Sequence, residues 1–291
     1  MSSISRGTLL KAQKERIWPS LGRHIPLTLT NGTVADLLEV PADMNYFQTP
    51  RILRNETWLR NSQDKEWSNG LVLFSQHADI VFSNSKLSAE FRTLDRTPMN
   101  GFKILDRKRR LSIKVQPTVD AFSKTFDVLS DGLLRGLDWD NVFAAGGIAL
   151  SSLLCTDIKS DAPNFKNSDI DLYIYGVGPI EANKKIQHIY KVWRSNLPKD
   201  ADARVARNSR TVRQPVMVAK KRIEYVNIPQ ITFFGPYPMK RIQIVLKLVR
   251  DPKEVLLNFD LDICSMGWNG KELYLLPRAA RALQSEPQFL Q

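Results

Sequence analysis

Two aspartates stand two residues apart at the head of an apolar run, "NSDIDLYIYG", and they limit what the chain around them can fold into. The run alternates as a strand does, so Asp169 and Asp171 project from one face while Ile170 and Leu172 face the other way. Adjacent carboxylates repel and lose hydration unless a cation or hydrogen-bond donors offset the cost. Such a strand has to open onto a place where a counter-charge can reach. Upstream, "NVFAAGG" reads as a short buried strand entering the helix "IALSSLLCTDI" through Gly146-Gly147. Glycines there let a phosphate approach the backbone, and the free amides of a helix N-terminus favour an anion. Magnesium commonly joins one or two carboxylates to substrate phosphates. Either element alone is more often structural than functional. Their order, the helix between them and their apolar flanks make them together a kit for nucleotidyl transfer.

The pattern is sharpest from residue 117 onward. Val119, Phe122, Phe126, Leu129 and Leu133 recur at helical intervals, with Gly136 placed to end the helix. After a polar loop, "KSDAPNFKN", and the aspartate strand comes a second helix, "PIEANKKIQHIYKVWRS". Ile186, Ile189, Tyr190 and Trp193 form its apolar face, leaving His188 on the surface. Short strands are expected around "TVRQPVMVA", "EYVNI" and "QITFFG". "KRIQIVLKLV" is the clearest strand, with Ile242, Ile244, Leu246 and Leu248 pointing one way. "DPKEVLLNF" is a short helix, the next segment a hairpin turning at Asn269-Gly270, and "PRAARAL" a helical turn. Before residue 116 the pattern is irregular. "IPLTLTNGTVADLLEV" suggests a strand, a turn and a helix. "NGLVLFSQHADIVFS" suggests paired strands anchored by Leu71, Leu73, Ile80 and Phe82, and residues 93–101 a loop.

Forty-two basic against thirty acidic residues give a formal net charge of +12, which suits a polyanionic partner as well as plain solubility. One basic cluster spans Lys103 to Lys114 and also fits a nuclear-localisation pattern; a second runs from residue 203 to 222. No apolar run is long enough to span a bilayer, and the N-terminus has no secretory core, so an intracellular protein, cytoplasmic or nuclear, is expected. Sequons at Asn31 and Asn55 are then read as turn chemistry. Cys155 and Cys264 fit reduced core thiols, and the absence of a Cys/His cluster argues against zinc.

Gly146-Gly147 followed by Ser168-Asp169-Ile170-Asp171 resembles the signature of the nucleotidyltransferase superfamily that includes DNA polymerase beta and the CCA-adding enzymes. The wider stretch looks like an uncharacterised eukaryotic and viral branch, and the likeness covers about half the chain, from Trp139 onward. It implies an α+β fold, a mixed sheet flanked by helices. The expected division is an N-terminal extension (1–115), a nucleotidyltransferase-like core (116–283) and a C-terminal tail (284–291). It also implies Asp169 and Asp171 as catalytic ligands of Mg2+ (or Mn2+), with Gly146, Gly147 and Ser168 binding a nucleoside triphosphate. A third carboxylate on a neighbouring strand belongs to the pattern, but the equivalent position here holds neutral Gln243. Asp260 and Asp262 on the following segment share a face by the same alternation and can substitute, and Asp260, directly after the helix beside the apolar anchor Phe259, is preferred.

Arg204, Arg207, Arg210 and Arg213 are candidates for triphosphate or nucleic-acid contacts, or else a solvated loop. Two functions stay open. One is a metal-dependent nucleotidyltransferase moving a nucleoside monophosphate to a hydroxyl acceptor, on RNA, DNA or, as in toxin-like transferases, a protein or transfer RNA. The other is a catalytically inactive module that binds nucleic acid or a protein, with the N-terminal extension available to protein partners and no role at a membrane.

Overall fold

A computed structural model describes residues 50–62, 66–82, 85–95, 112–161, 168–215 and 223–285. Helix α1 (Pro50–Asn61) leads to the two-residue strand β1 (Val72–Leu73) and to α2 (Phe74–Val81). A small sheet follows, made of β2 (Ser85–Leu87), β3 (Arg92–Asp95) and β4 (Ser112–Val115). Next come α3 (Val119–Leu129), β5 (Val142–Ala145), α4 (Gly147–Leu154), α5 (Ile158–Asp161), β6 (Ile170–Tyr175) and the long α6 (Pro179–Asn196). The chain continues through β7 (Arg204–Pro215), β8 (Ile223–Phe234), β9 (Ile242–Val249), α7 (Pro252–Leu257) and a 3-10 turn at Asp262–Cys264. It closes with β10 (Met266–Trp268), β11 (Leu273–Leu275) and α8 (Pro277–Ser285).

The main sheet has eight strands in the order β1-β11-β10-β5-β6-β9-β8-β7. Its pairs are antiparallel except β6 with β9, which run parallel, so the sheet is mixed and the fold α+β. Alternation decides which side chains face which layer. Ile170, Leu172 and Ile174 of β6 are buried in one core with Phe122, Phe126, Ile148, Leu153, Ile189 and Trp193. On the opposite face Phe143 and Ala145 of β5 join Leu59, Leu256, Leu257 and Tyr274, with Tyr173, Tyr175 and Phe259 packed against them. Asp171 shares this second face by parity. Strand β1, from before residue 116, hydrogen-bonds to β11 and so extends the same sheet.

Several expectations change. Paired strands do not form over residues 69–82: after β1 the chain turns into α2, because Phe74, His77, Ala78 and Val81 recur at the helical period and are buried. Thr93–Asp95, expected in a loop, lie in β3, and the rest of that segment lies outside the described residues. Helix α3 ends at Leu129, not near Gly136; Asp131 and Gly132 take positive φ and the chain turns there. On β9, Ile242 and Ile244 are buried but Leu248 is exposed and Val249 buried, because the pairing with β6 shifts register between Tyr173 and Tyr175. Tyr190 packs on the apolar face of α6 against Trp193 and Phe233 but stays 41% exposed, while His188 accepts a hydrogen bond from the Asp138 amide at 3.2 Å. The Asn55 sequon is no turn: it lies in α1, with Asn55 buried and donating to the Gly70 carbonyl at 3.2 Å. The elements expected in residues 25–40 and the basic run at 103–110 lie outside the described residues.

Candidate functional site

The two aspartates sit at the N-terminal end of β6, where it enters the middle of the sheet. Asp171 lies in register with Ala145 of β5 on one side and Gln243 of β9 on the other. This brings the end of β5, the aspartate pair and Gln243 into one row across three central strands. Asp169 lies just before the strand, and Ile170 between the two carboxylates donates its amide to the Arg241 carbonyl at 2.9 Å.

Gly146 follows Ala145 directly and caps α4. Its φ of +82° suits glycine, and a Cβ there would lie 2.8 Å from the Phe259 ring. As the N-cap it brings no side chain to the first-turn amides of α4. Gly147 is the neighbour of Ser168, whose Cβ lies 3.8 Å from where a Cβ on Gly147 would stand. The glycine turn and the Ser168-Asp169 segment, Gly147 and Ser168 being twenty-one positions apart in sequence, are thus neighbours.

Donors converge on this carboxylate. Arg241 Nε donates to Asp169 Oδ1 at 2.9 Å, and Gln243 Nε2 donates to Asp169 Oδ2 at 2.6 Å. Lys240 is buried, and its Nζ donates to the Ser168 carbonyl and to Ser168 Oγ, both at 3.0 Å. Its backbone amide donates to Asp131 Oδ2 at 2.8 Å. Burial pushes the Lys240 ammonium below its ordinary pKa, with Asp131 and Asp169 pulling the other way. Lys240 and Arg241 escaped the sequence reading. The only local signal was a Lys-Arg pair immediately before the strongest strand; what places it here is the parallel pairing of β9 with β6.

The segment after α7 is not extended, so the alternation expected to put Asp260 and Asp262 on one face does not apply. Asp262 opens the 3-10 turn and pairs with Arg281 at 3.1 Å and Arg278 at 3.5 Å. Arg278 also donates to the Phe259 carbonyl at 2.8 Å, anchoring the backbone of the residue whose ring lies beside Gly146. Asp260, next to Phe259, is exposed. Among the described residues no group of three or more His, Cys, Asp or Glu side chains is gathered for a metal. Two carboxylates beside uncapped amides nonetheless offer the hard oxygen donors that one Mg2+ or Mn2+ shares with substrate phosphates.

Arg204, Arg207, Arg210 and Arg213 all fall on β7, an extended strand paired with β8, and not in a loop. Strand β7 lies three strand spacings from β6, about 14 Å. Cys155 is a buried thiol with its pKa pushed up to about 11, as an inert core residue would be. No described helix is long and apolar enough to cross a membrane.

A family model described as "Gad2: Gabija anti-defense 2 family protein" matches residues 119–286, from the start of α3 to just past α8. No curated protein and no solved structure matches the chain.

Proposed function

The chain belongs to the Gabija anti-defense 2 family, and on that premise we propose that it opposes the defence its family is named against by nucleotidyl transfer. In this reading it binds a nucleoside triphosphate and moves the nucleoside monophosphate to a hydroxyl on a component of that defence. The observation that carries the reading is the row Ala145–Asp171–Gln243 with Gly146 and Gly147 at its end. It sets two carboxylates beside a glycine turn that brings no side chain to the first amides of α4. The fold is then nucleotidyltransferase-like, in keeping with the sequence resemblance.

Asp169 and Asp171 would hold the divalent cation, which when bound supplies charge neutralisation at the phosphates. Gly146, Gly147 and the first amides of α4 orient the triphosphate. The acceptor oxygen bonds to the α-phosphorus, the bond from that phosphorus to the bridging oxygen breaks, and the electron pair leaves with pyrophosphate. Gln243 has no basic atom for the hydroxyl proton. Asp262 is engaged by Arg278 and Arg281, so Asp260, exposed beside Phe259, is assigned to receive it.

One observation favours a second reading. The neutral Gln243 amide already donates to Asp169, an arrangement suited to holding nucleotide without turning it over. Intact-mass analysis of the proteins and nucleic acids of that defence, incubated with the chain, Mg2+ and each nucleoside triphosphate, separates the two. Transfer adds one nucleoside monophosphate to a component and releases pyrophosphate. Binding without any mass shift favours the second reading.

A further inference from the structure

The cations nearest the aspartate pair are not the arginines of β7 but Lys240 and Arg241, which immediately precede β9. Lys240 Nζ holds both oxygens of Ser168, and Ser168 lies against Gly147, so Lys240, Ser168 and the glycine turn form one continuous line. A buried ammonium is costly to keep, and Lys240 is only 7% exposed. Its two hydrogen bonds to Ser168 fix the segment that feeds Asp169 into the site. Arg241 differs: its side chain is 51% exposed and reaches Asp169, itself 25% exposed, through Nε alone of its five N–H donors in that ion pair. Planar guanidinium groups match phosphate oxygens as well as carboxylates.

Resting on the nucleotide-binding reading above, we propose that Lys240 and Arg241 are the triphosphate-recognising cations of this site. Arg241 contacts the phosphates directly, exchanging Asp169 for phosphate oxygens as the carboxylate turns to a cation. Lys240 is a positioning residue, holding Ser168 against the glycine turn and adding positive potential beneath the phosphates. The role assigned to the β7 arginines at the triphosphate passes to these two residues.

The test is calorimetric titration of the full chain with ATP, GTP, CTP and UTP, and with inorganic tripolyphosphate, in Mg2+. Arg241→Gln should weaken nucleoside triphosphate and tripolyphosphate by the same factor, about tenfold or more for a lost charge-assisted contact. Lys240→Met should do likewise, and Lys240→Arg should recover part of the loss. A merely structural Arg241 would leave both affinities unchanged while altering thermal stability; that result overturns the inference and leaves the nucleotide reading standing. If the unaltered chain binds neither nucleotide nor tripolyphosphate, both fall together. Arg241→Gln alters a half-exposed side chain, so it decides the matter even if Lys240→Met fails to fold.

Discussion

The Gln243 side-chain amide donates to Asp169 Oδ2 at 2.6 Å, from the strand position that faces Asp171. A neutral donor thus occupies the place where the proposed nucleotidyltransferase reading expects a third carboxylate. Gln243→Glu is expected to lose this hydrogen bond, worth about 1.5–3 kcal/mol to a charged acceptor, and to add like-charge repulsion. Without divalent cation the variant should melt below the unaltered chain. Added Mg2+ or Mn2+ should raise its melting temperature by more than that of the unaltered chain, because a third carboxylate tightens cation binding.

Asp260 and Asp262 should separate cleanly. Asp262→Asn removes the charge facing Arg278 and Arg281, and with it part of the hold on Phe259, so denaturant titration should register a loss of about 1–3 kcal/mol. Asp260→Asn, at an exposed position, should leave stability within about 0.5 kcal/mol while slowing transfer. Equal transfer rates for Asp260→Asn and the unaltered chain would remove Asp260 from the proton's path.

Gly146→Ala should be damaging for two reasons. A side chain at φ +82° costs roughly 1–3 kcal/mol, and its Cβ would meet the Phe259 ring at 2.8 Å. Pairing the change with Phe259→Ala relieves the collision but not the backbone strain, so the double variant should recover only part of the lost stability in chemical denaturation.

A buried charge network ties α1 to α8. Glu56 faces Arg278 at 3.3 Å, and burial raises its carboxyl above the ordinary value of 4.5. With a raised pKa the folded state keeps a proton that the unfolded chain releases. The Glu56 contribution is therefore most favourable below pH 4.5 and declines as pH rises through the folded pKa. Melting curves from pH 4 to 8 should show the stability of the unaltered chain, relative to Glu56→Gln, falling over that window by at most about 1.4 kcal/mol per pH unit.

What the sequence made legible was local. The alternation of Ile170, Leu172 and Ile174 and the glycines closing β5 are properties of adjacent residues, and the structure places them as read. Helix α2 was misread because a short apolar run fits either period until its burial is known. The arginines of β7 left a solvated loop open, because charged residues at a spacing of three fit no single period, and only pairing with β8 over the whole strand reveals a ribbon. Lys240 and Arg241 reach Ser168 and Asp169 from seventy-two residues away in sequence, through a parallel strand pair that no local pattern encodes.

Parallel incubations with α-labelled and γ-labelled nucleoside triphosphate report most directly on chemistry at Asp169 and Asp171. The chain, Mg2+ and components of the opposed defence should yield α-label on an acceptor and γ-label in pyrophosphate. The Asp169→Asn, Asp171→Asn double variant should give neither, while circular dichroism shows it still folded. Full transfer by the double variant, or nucleotide that binds yet keeps both labels in every incubation, would contradict the account.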